Sequence, residues 1–297
     1  MIKDVSGIIG IVAHDAGGAE LIAHLALNNP QNFIFSLQGP AIQVFKRVLG
    51  EIENISLEDL VTKADVLLSG TSWGSSFENS AIELFRRRNK YVIALLDHYV
   101  NYRERFINNN FSELPDEIWV TDEFALKKVL EFSGETKVEV VGNPYLDYQI
   151  KSYFSKIEGA PEEHANNVLY LFEPIAKHVR DWTKEDLRYD EFTAFSYFLE
   201  NLGKCAPKAT RITLRPHPSE SNFKYSSLTQ TENPIITISS NLNILDDLIH
   251  ADVVVGCETM GLILAAAVGK KVFSSIPPGG YTHDMPFVGI SFIRDIS

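Results

Sequence analysis

Short apolar runs rich in Val and Ile, alternating with longer stretches of helical periodicity, are what most restricts the folds open to this chain. The runs fall at residues 7–13, 33–37, 66–68, 91–96, 117–121 and 138–141, and again at 168–172, 210–214, 235–238, 253–255 and 271–273. Helical patterns at 19–27, 41–49, 78–88 and 123–132, then at 185–202, 242–249 and 258–268, lie between them. A run that is apolar throughout suits a strand buried on both faces, and a helix between successive strands is what a parallel sheet requires. The pattern predicts an α/β protein of two Rossmann-like parallel-sheet domains in series, with the carboxyl ends of both sheets facing a central cleft.

The rhythm is broken over residues 155–167 (SKIEGAPEEHANN), which are polar and aperiodic and include Gly159 and Pro161. That stretch reads as a linker between an amino-terminal domain, residues 1–154, and a carboxyl-terminal domain, residues 168–297. With 297 residues, 45% of them hydrophobic, each half has material for its own core. The net charge of -12 opposes broad contact with a nucleic-acid backbone. Cys205 and Cys257 offer neither a disulfide framework nor metal-ligand spacing, and fit a reducing cytoplasm. No apolar run approaches the roughly 20 residues of a spanning helix, and the amino terminus reaches His14 and Asp15 too soon for a secretory leader. A cytoplasmic protein is expected, with any membrane association peripheral and at the inner face.

In open parallel sheets ligands collect at the loops that follow the strands, and five such loops carry reactive residues. His14-Asp15-Ala16-Gly17-Gly18 joins the first strand to the first helix. Its glycines let a ligand approach the backbone, the helix start offers unpaired N–H groups, and Asp15 is either a cap or a general base. It lacks the G-x-G-x-x-G spacing, which disfavours a nicotinamide cofactor. Residues 69–78 (SGTSWGSSFE) suit a sugar or phosphate, or a capping box from Ser75 to Glu78; they hold no ATP-type phosphate loop. Residues 97–106 (DHYVNYRERF) interleave Asp97, His98, Asn101, Tyr102, Arg103 and Arg105 as carbohydrate recognition or a surface helix would. In Arg215-Pro216-His217-Pro218-Ser219 the prolines hold His217 in an extended turn beside Arg215, suited to a phosphate or simply to the surface. Residues 255–261 (VGCETMG) place Glu258 and Thr259 at a helix start, where they could bond a ribose or phosphate or complement the helix dipole.

Together with Gly142-Asn143-Pro144, Asp147 and the late segment ETMGLILAAAVGKKV, these loops resemble the nucleotide-sugar-dependent glycosyltransferases of the GT-B fold over most of the chain. The segment VGNPYLD, residues 141–147, is similar to one in lipid A disaccharide synthase and UDP-N-acetylglucosamine 2-epimerase relatives. The His217-Pro218 pair is similar to that of bacterial sialyltransferases, Kdo-transferring capsule enzymes and CDP-glycerol polymerases. The resemblance implies a metal-independent glycosyltransferase of capsule or other surface-polysaccharide synthesis. It would move a sugar, such as a CMP-activated sialic-acid-like or Kdo-like one, from a nucleotide donor to a glycan or glycolipid acceptor, with the nucleotide sugar as substrate and no cofactor. It implies that Asp15 activates the acceptor, although one residue separates it from the glycines, and that His217 contacts the nucleotide phosphate. Ser274 and Ser275 follow as helpers at that phosphate, and with the loop readings above the nucleotide set is completed by Gly17, Gly18, Arg215, Glu258 and Thr259. The acceptor set is Glu78, Asp97, Asn101, Tyr102 and Arg103. No Asp-x-Asp motif lies at a strand end, so helix N-termini, Arg215 and His217 are expected to stabilise the leaving phosphate. Enzymes of this fold commonly end in a helix crossing back to the first domain, whereas this sequence ends at Ser297, soon after the last strand candidate.

Three other functions fit the same pattern. A UDP-sugar 2-epimerase or hydrolase would use Glu78 and Asp97 as additional carboxylates around the sugar. A non-catalytic nucleotide-sugar-binding protein would hold the donor without turnover. A polyol-phosphate transferase would need a basic, membrane-facing surface, and Arg86-Arg87-Arg88 suits a solvated helix end better.

Overall fold

The computed structural model describes residues 7–29, 31–72, 75–99, 101–106, 113–158, 166–179, 187–231, 233–282 and 285–296. The chain separates into two compact units, Met1–Tyr148 and Gln149–Ser297. Each unit carries a six-stranded sheet whose neighbouring strands all run parallel.

The first unit contains β1 (Ile9–Ala13), α1 (Ala16–Asn28), β2 (Phe33–Leu37), α2 (Ala41–Leu49), α3 (Leu57–Lys63), β3 (Val66–Ser69) and α4 (Phe77–Arg87). It continues with β4 (Tyr91–Leu95), α5 (Tyr102–Phe106), β5 (Glu117–Val120), α6 (Glu123–Leu130) and β6 (Lys137–Val140). The strand order is β2-β1-β3-β4-β5-β6. All five residues of β1 are buried, as its central position demands, with Ile11 paired to Phe35 on one side and Leu68 on the other. In α2 the buried residues Ala41, Val44 and Phe45 recur at three- and four-residue spacing, which turns one stripe of the helix to the sheet. Ser56 starts α3 by accepting the Asp59 N–H, and Asp122 starts α6 by accepting that of Ala125.

The helix α7 (Pro144–Ile157) carries the chain from one unit to the next. Gly142 has φ +81°, a backbone conformation open to glycine, and Asn143 Oδ1 then accepts the Leu146 N–H, so Asn143 caps a helix whose first residue is Pro144. The segment GNP is thus a helix start, and residues 155–157, expected in the linker, lie within the helix. Residues 159–165 of that expected linker lie outside the described residues.

The second unit contains β7 (Asn167–Leu171), α8 (Ile175–His178), α9 (Glu191–Glu200), α10 (Leu202–Cys205), β8 (Arg211–Arg215), β9 (Ile235–Ile238), α11 (Ile244–Leu248), β10 (Val253–Gly256), α12 (Met260–Ala267), β11 (Lys271–Ser274) and β12 (Ile290–Phe292). Its order is β12-β11-β10-β7-β8-β9. An aromatic cluster fills the core, with Phe172 stacked on Tyr225 at 4.1 Å between ring centroids and Tyr170 against Phe195 and Phe198. The helix expected from residue 185 starts at Glu191 behind the cap of Asp190 on the Thr193 N–H, and residues 180–186 lie outside the described set. The three-residue β12 was not legible as a strand in the sequence. Among the described residues no helix is long and apolar enough to cross a membrane.

Candidate functional site

In each sheet the strand order reverses at one point, between β1 and β3 in the first unit and between β7 and β10 in the second. Loops leaving the two strands at such a point diverge and open a crevice at their carboxyl ends. Each crevice holds a carboxyl group bound by backbone amides, Glu78 in the first and Glu173 in the second.

In the first unit, Asp15 occupies the N-cap position of α1, but its side chain makes no capping bond. Its Oδ1 instead meets His14 Nδ1 at 2.7 Å, with the Asp15 side chain 41% exposed, enough for a ligand to reach. The His14 N–H donates to Glu78 Oε1 at 2.7 Å. Glu78 is buried, so desolvation outweighs its bonds to two backbone amides and raises its pKa to about 7, with the Asp15 charge adding to the rise. The sequence-based capping box does not form: Ser75 Oγ accepts the Phe77 N–H, and the Glu78 carboxyl turns to His14.

Asp97, at the end of β4, lies against the start of α1, where a Cβ on Gly17 would sit 2.1 Å from Asp97 Oδ2. Gly17 therefore gives room to a carboxylate of the protein itself. A Cβ on Gly18 would approach only Gly70 Cα, at 3.6 Å, and Thr71 N, at 3.9 Å, which reflects close packing of helix on strand. Asp97 Oδ1 is bound by Arg105 Nη1 at 2.7 Å, and the same guanidinium donates to the Thr71 carbonyl at 2.5 Å. Of the α5 residues expected to meet an acceptor, Tyr102 is buried and Arg103 is exposed, while Asn101, with φ +57°, starts the turn. The arginine that reaches the site is Arg105. Asp15, Gly17, Gly18, Glu78 and Asp97 are thus brought together, and Arg103 is not in that group.

In the second unit, the side chain of Glu173, directly after β7 and Phe172, accepts the N–H groups of Cys257 at 3.1 Å and Glu258 at 2.8 Å. Burial again outweighs the amide bonds and raises its pKa to about 7. Sequence reasoning passed over Glu173, although its place at a strand end by the reversal point was a usable signal. Thr259 caps α12 by accepting the Gly261 N–H, and Glu258 beside it is buried. Ser274 and Ser275 are fully buried. The Ser274 hydroxyl donates to the Cys257 carbonyl, and Ser275 Oγ bonds both Tyr170 and the Gly256 carbonyl, which places both serines inside the sheet end and away from any ligand surface. Burial pushes the Cys257 thiol well up, leaving it unreactive.

Arg215, expected at the phosphate, is committed elsewhere. Its Nη1 bonds Asp247 Oδ2 at 2.5 Å and the Asn241 carbonyl at 3.0 Å, and its Nη2 bonds the Leu242 carbonyl at 3.0 Å. His217 is exposed, and its Nδ1 meets the Ser219 hydroxyl at 2.8 Å and the Ser219 N–H at 3.2 Å. Partial desolvation is the main influence that lowers its pKa, opposed by Glu220 and assisted by the nearby ammonium of Lys177. Among the described residues no group of three or more His, Cys, Asp or Glu side chains is arranged to hold a metal ion.

No protein-family model matches the sequence, and no curated protein matches it. The structure is similar to UDP-GlcNAc 2-epimerase from Methanocaldococcus jannaschii, with a TM-score of 0.55 and 13% identity over 90% of this chain and 83% of that one. It is similar to the glycotransferase of kitacinnamycin, with a TM-score of 0.52 and 12% identity over 99% of this chain and 88% of the other. The chain has the GT-B fold. The wall teichoic acid polymerase TagF shares that fold at a TM-score of 0.51 and 13% identity, over 97% of this chain and 76% of that one. The GT-B architecture that the sequence resemblance implied is therefore present, as two α/β units with parallel sheets in series.

Proposed function

We propose that the chain is a nucleotide-sugar enzyme, and that it transfers the glycosyl group to a glycan or glycolipid acceptor. The observation that carries this reading is the Asp15 carboxylate, half exposed at the strand reversal of the first unit and held by His14 on a GT-B scaffold. In the proposed step Asp15 takes the proton of an acceptor hydroxyl as its oxygen bonds to the anomeric carbon. The bond from that carbon to the nucleotide phosphate breaks, and the departing phosphate carries the electron pair. In the second unit, the exposed His217 ring and the Lys177 ammonium that acts on its pKa support binding of a nucleotide phosphate. Arg215 stays out of this role because Asp247 already neutralises it.

A thermal-shift series with UDP, CMP, CDP and GDP identifies the donor base, since a nucleotide that binds the folded state raises its melting temperature. Product analysis by NMR with the matching nucleotide sugar and a glycan acceptor then follows. Asp15→Ala turning over at the wild-type rate would sink the assignment of the base.

A second reading is favoured by Asp15 and Asp97, two carboxylates that both lie at the start of α1: epimerisation at C2 of a UDP-sugar, which must break and remake a C–H bond. Incubation with UDP-N-acetylglucosamine in D2O without acceptor separates the two. Deuterium at C2 selects the epimerase, and a product seen only with acceptor selects the transferase.

A further inference from the structure

None of the readings of Glu78 offered by the sequence, a capping residue, an acceptor ligand or a carboxylate beside the sugar of an epimerase, accounts for where its carboxyl lies. It is 2% exposed, too enclosed to touch an acceptor, and it does not cap its own helix. Oε1 accepts the His14 N–H across 64 positions of sequence, whereas Oε2 is buried without a hydrogen-bond partner. The neighbouring strands stop short of that amide. The Gly70 N–H goes to the Val12 carbonyl and the Gln38 N–H to the Ala13 carbonyl, so the sheet supplies no acceptor for His14.

Three further bonds fasten the His14-Asp15 turn. The His14 carbonyl accepts the Ala41 N–H at 2.9 Å, the Asp15 carbonyl accepts the Ala19 N–H at 3.1 Å, and His14 Nδ1 holds Asp15 Oδ1 at 2.7 Å. Glu78 adds the bond to the His14 N–H. We propose that Glu78 is a positioning residue for the Asp15 centre, fixing the His14 amide and, through it, the imidazole that orients the Asp15 carboxylate. The inference rests on the reading of Asp15 as the base.

The groups facing Glu78 explain why a carboxyl suits the place. Asp15 and His14 face it from the β1–α1 loop, its own N–H from α4, and the uncharged Gly70 backbone from the end of β3. Asp97 and Arg105 neutralise each other beyond Thr71. With its pKa at about 7, Glu78 is a carboxylate in the alkaline half of the physiological range and a weaker, protonated acceptor in the acid half. The His14 bond should therefore tighten as the pH rises through 7.

Two readouts on the whole protein test this. In 15N-histidine-labelled protein the His14 amide, assigned by its loss in His14→Gln, should move downfield in a step near pH 7, and the step should vanish in Glu78→Gln. An identical step in Glu78→Gln would belong to the His14 ring and overturn the inference. In the turnover assay Glu78→Ala should lower kcat by roughly 10- to 100-fold, the size expected of a small misplacement of a reacting group, with KM for the nucleotide sugar unchanged. Glu78→Gln, which keeps an acceptor oxygen, should recover most of that loss. Equal kcat in Glu78→Ala and wild type would also overturn it. A wild type inert toward every nucleotide sugar counts against the proposed function alone, because the amide titration decides the Glu78 contact without turnover.

Discussion

Glu78 has a thermodynamic consequence opposite to ordinary acid denaturation. Its pKa is raised from 4.5 to about 7 in the folded chain, so between those two pH values the folded state binds more protons than the unfolded state. By linkage, stability is then highest at or below pH 4.5, falls as the pH rises through the window, and levels off above 7. The shift corresponds to about 3 kcal/mol at most, at 1.36 kcal/mol for each pH unit. Glu78→Gln removes the titration. It also places an amide N–H₂ where Oε2 now lies buried without a partner, but that cost is the same at every pH. The measurable quantity is the difference in unfolding free energy between Glu78→Gln and wild type, from urea titrations at half-unit steps between pH 4.5 and 8.5. It should move in favour of the variant by up to about 3 kcal/mol between pH 4.5 and 7 and be constant above. A difference that is flat across the whole range refutes the assignment of a near-neutral carboxyl to this position.

Other expectations follow from the same geometry. Asp247→Ala leaves the Arg215 guanidinium, 14% exposed, without its 3% exposed partner and should cost about 3–5 kcal/mol in urea unfolding, whereas Arg215→Met with Asp247→Leu should cost much less. Gly17→Ala drives a Cβ to 2.1 Å from Asp97 Oδ2 and should cost about 1–3 kcal/mol with loss of turnover, while Gly18→Ala, with nothing nearer than 3.6 Å, should stay within about 1 kcal/mol of wild type by thermal melting. His217→Ala should leave unfolding unchanged, since the side chain is exposed, and weaken nucleotide binding by roughly 10-fold or more in calorimetry, as loss of a hydrogen bond to a charged group does.

Much of the scaffold was legible because a parallel sheet covered on both faces writes its strands as uninterrupted apolar runs. The strands Phe33–Leu37 and Ile235–Ile238 and the helix Ala41–Leu49 fall on their expected ranges. The features missed are short or carry mixed signals. The helix Leu57–Lys63 buries only Leu60 and Val61, too few to set a period, and Gly142-Asn143-Pro144 has the composition of a loop although its last two residues are the cap and first position of a helix. The loops of the candidate site were found because they follow strands, yet the roles inside them were not. Arg103 and Arg105 are equivalent in composition, but residues two apart on a helical turn face different ways, and only Arg105 meets Asp97. Ser274 and Ser275 looked available as hydroxyls at a strand end, where burial on both faces of the sheet had already enclosed them.

The cations show most clearly what a sequence conceals. With a net charge of -12, an anionic substrate must be held by local positive groups, and Arg215 beside His217 is the natural choice on proximity along the chain. Asp247, 32 positions away, cancels that choice by taking the guanidinium into a buried pair that also anchors the carbonyls of Asn241 and Leu242. Lys177, which no motif marks, stands close enough to His217 to lower its pKa. A paired charge contributes little field outside the pair, whereas an exposed, unpaired ammonium keeps its charge available to an anion. The test of this reassignment is a comparison of Arg215→Met in the Asp247→Leu background with Lys177→Ala. The nucleotide affinity should survive the first and fall in the second, and the reverse order would return the phosphate to Arg215.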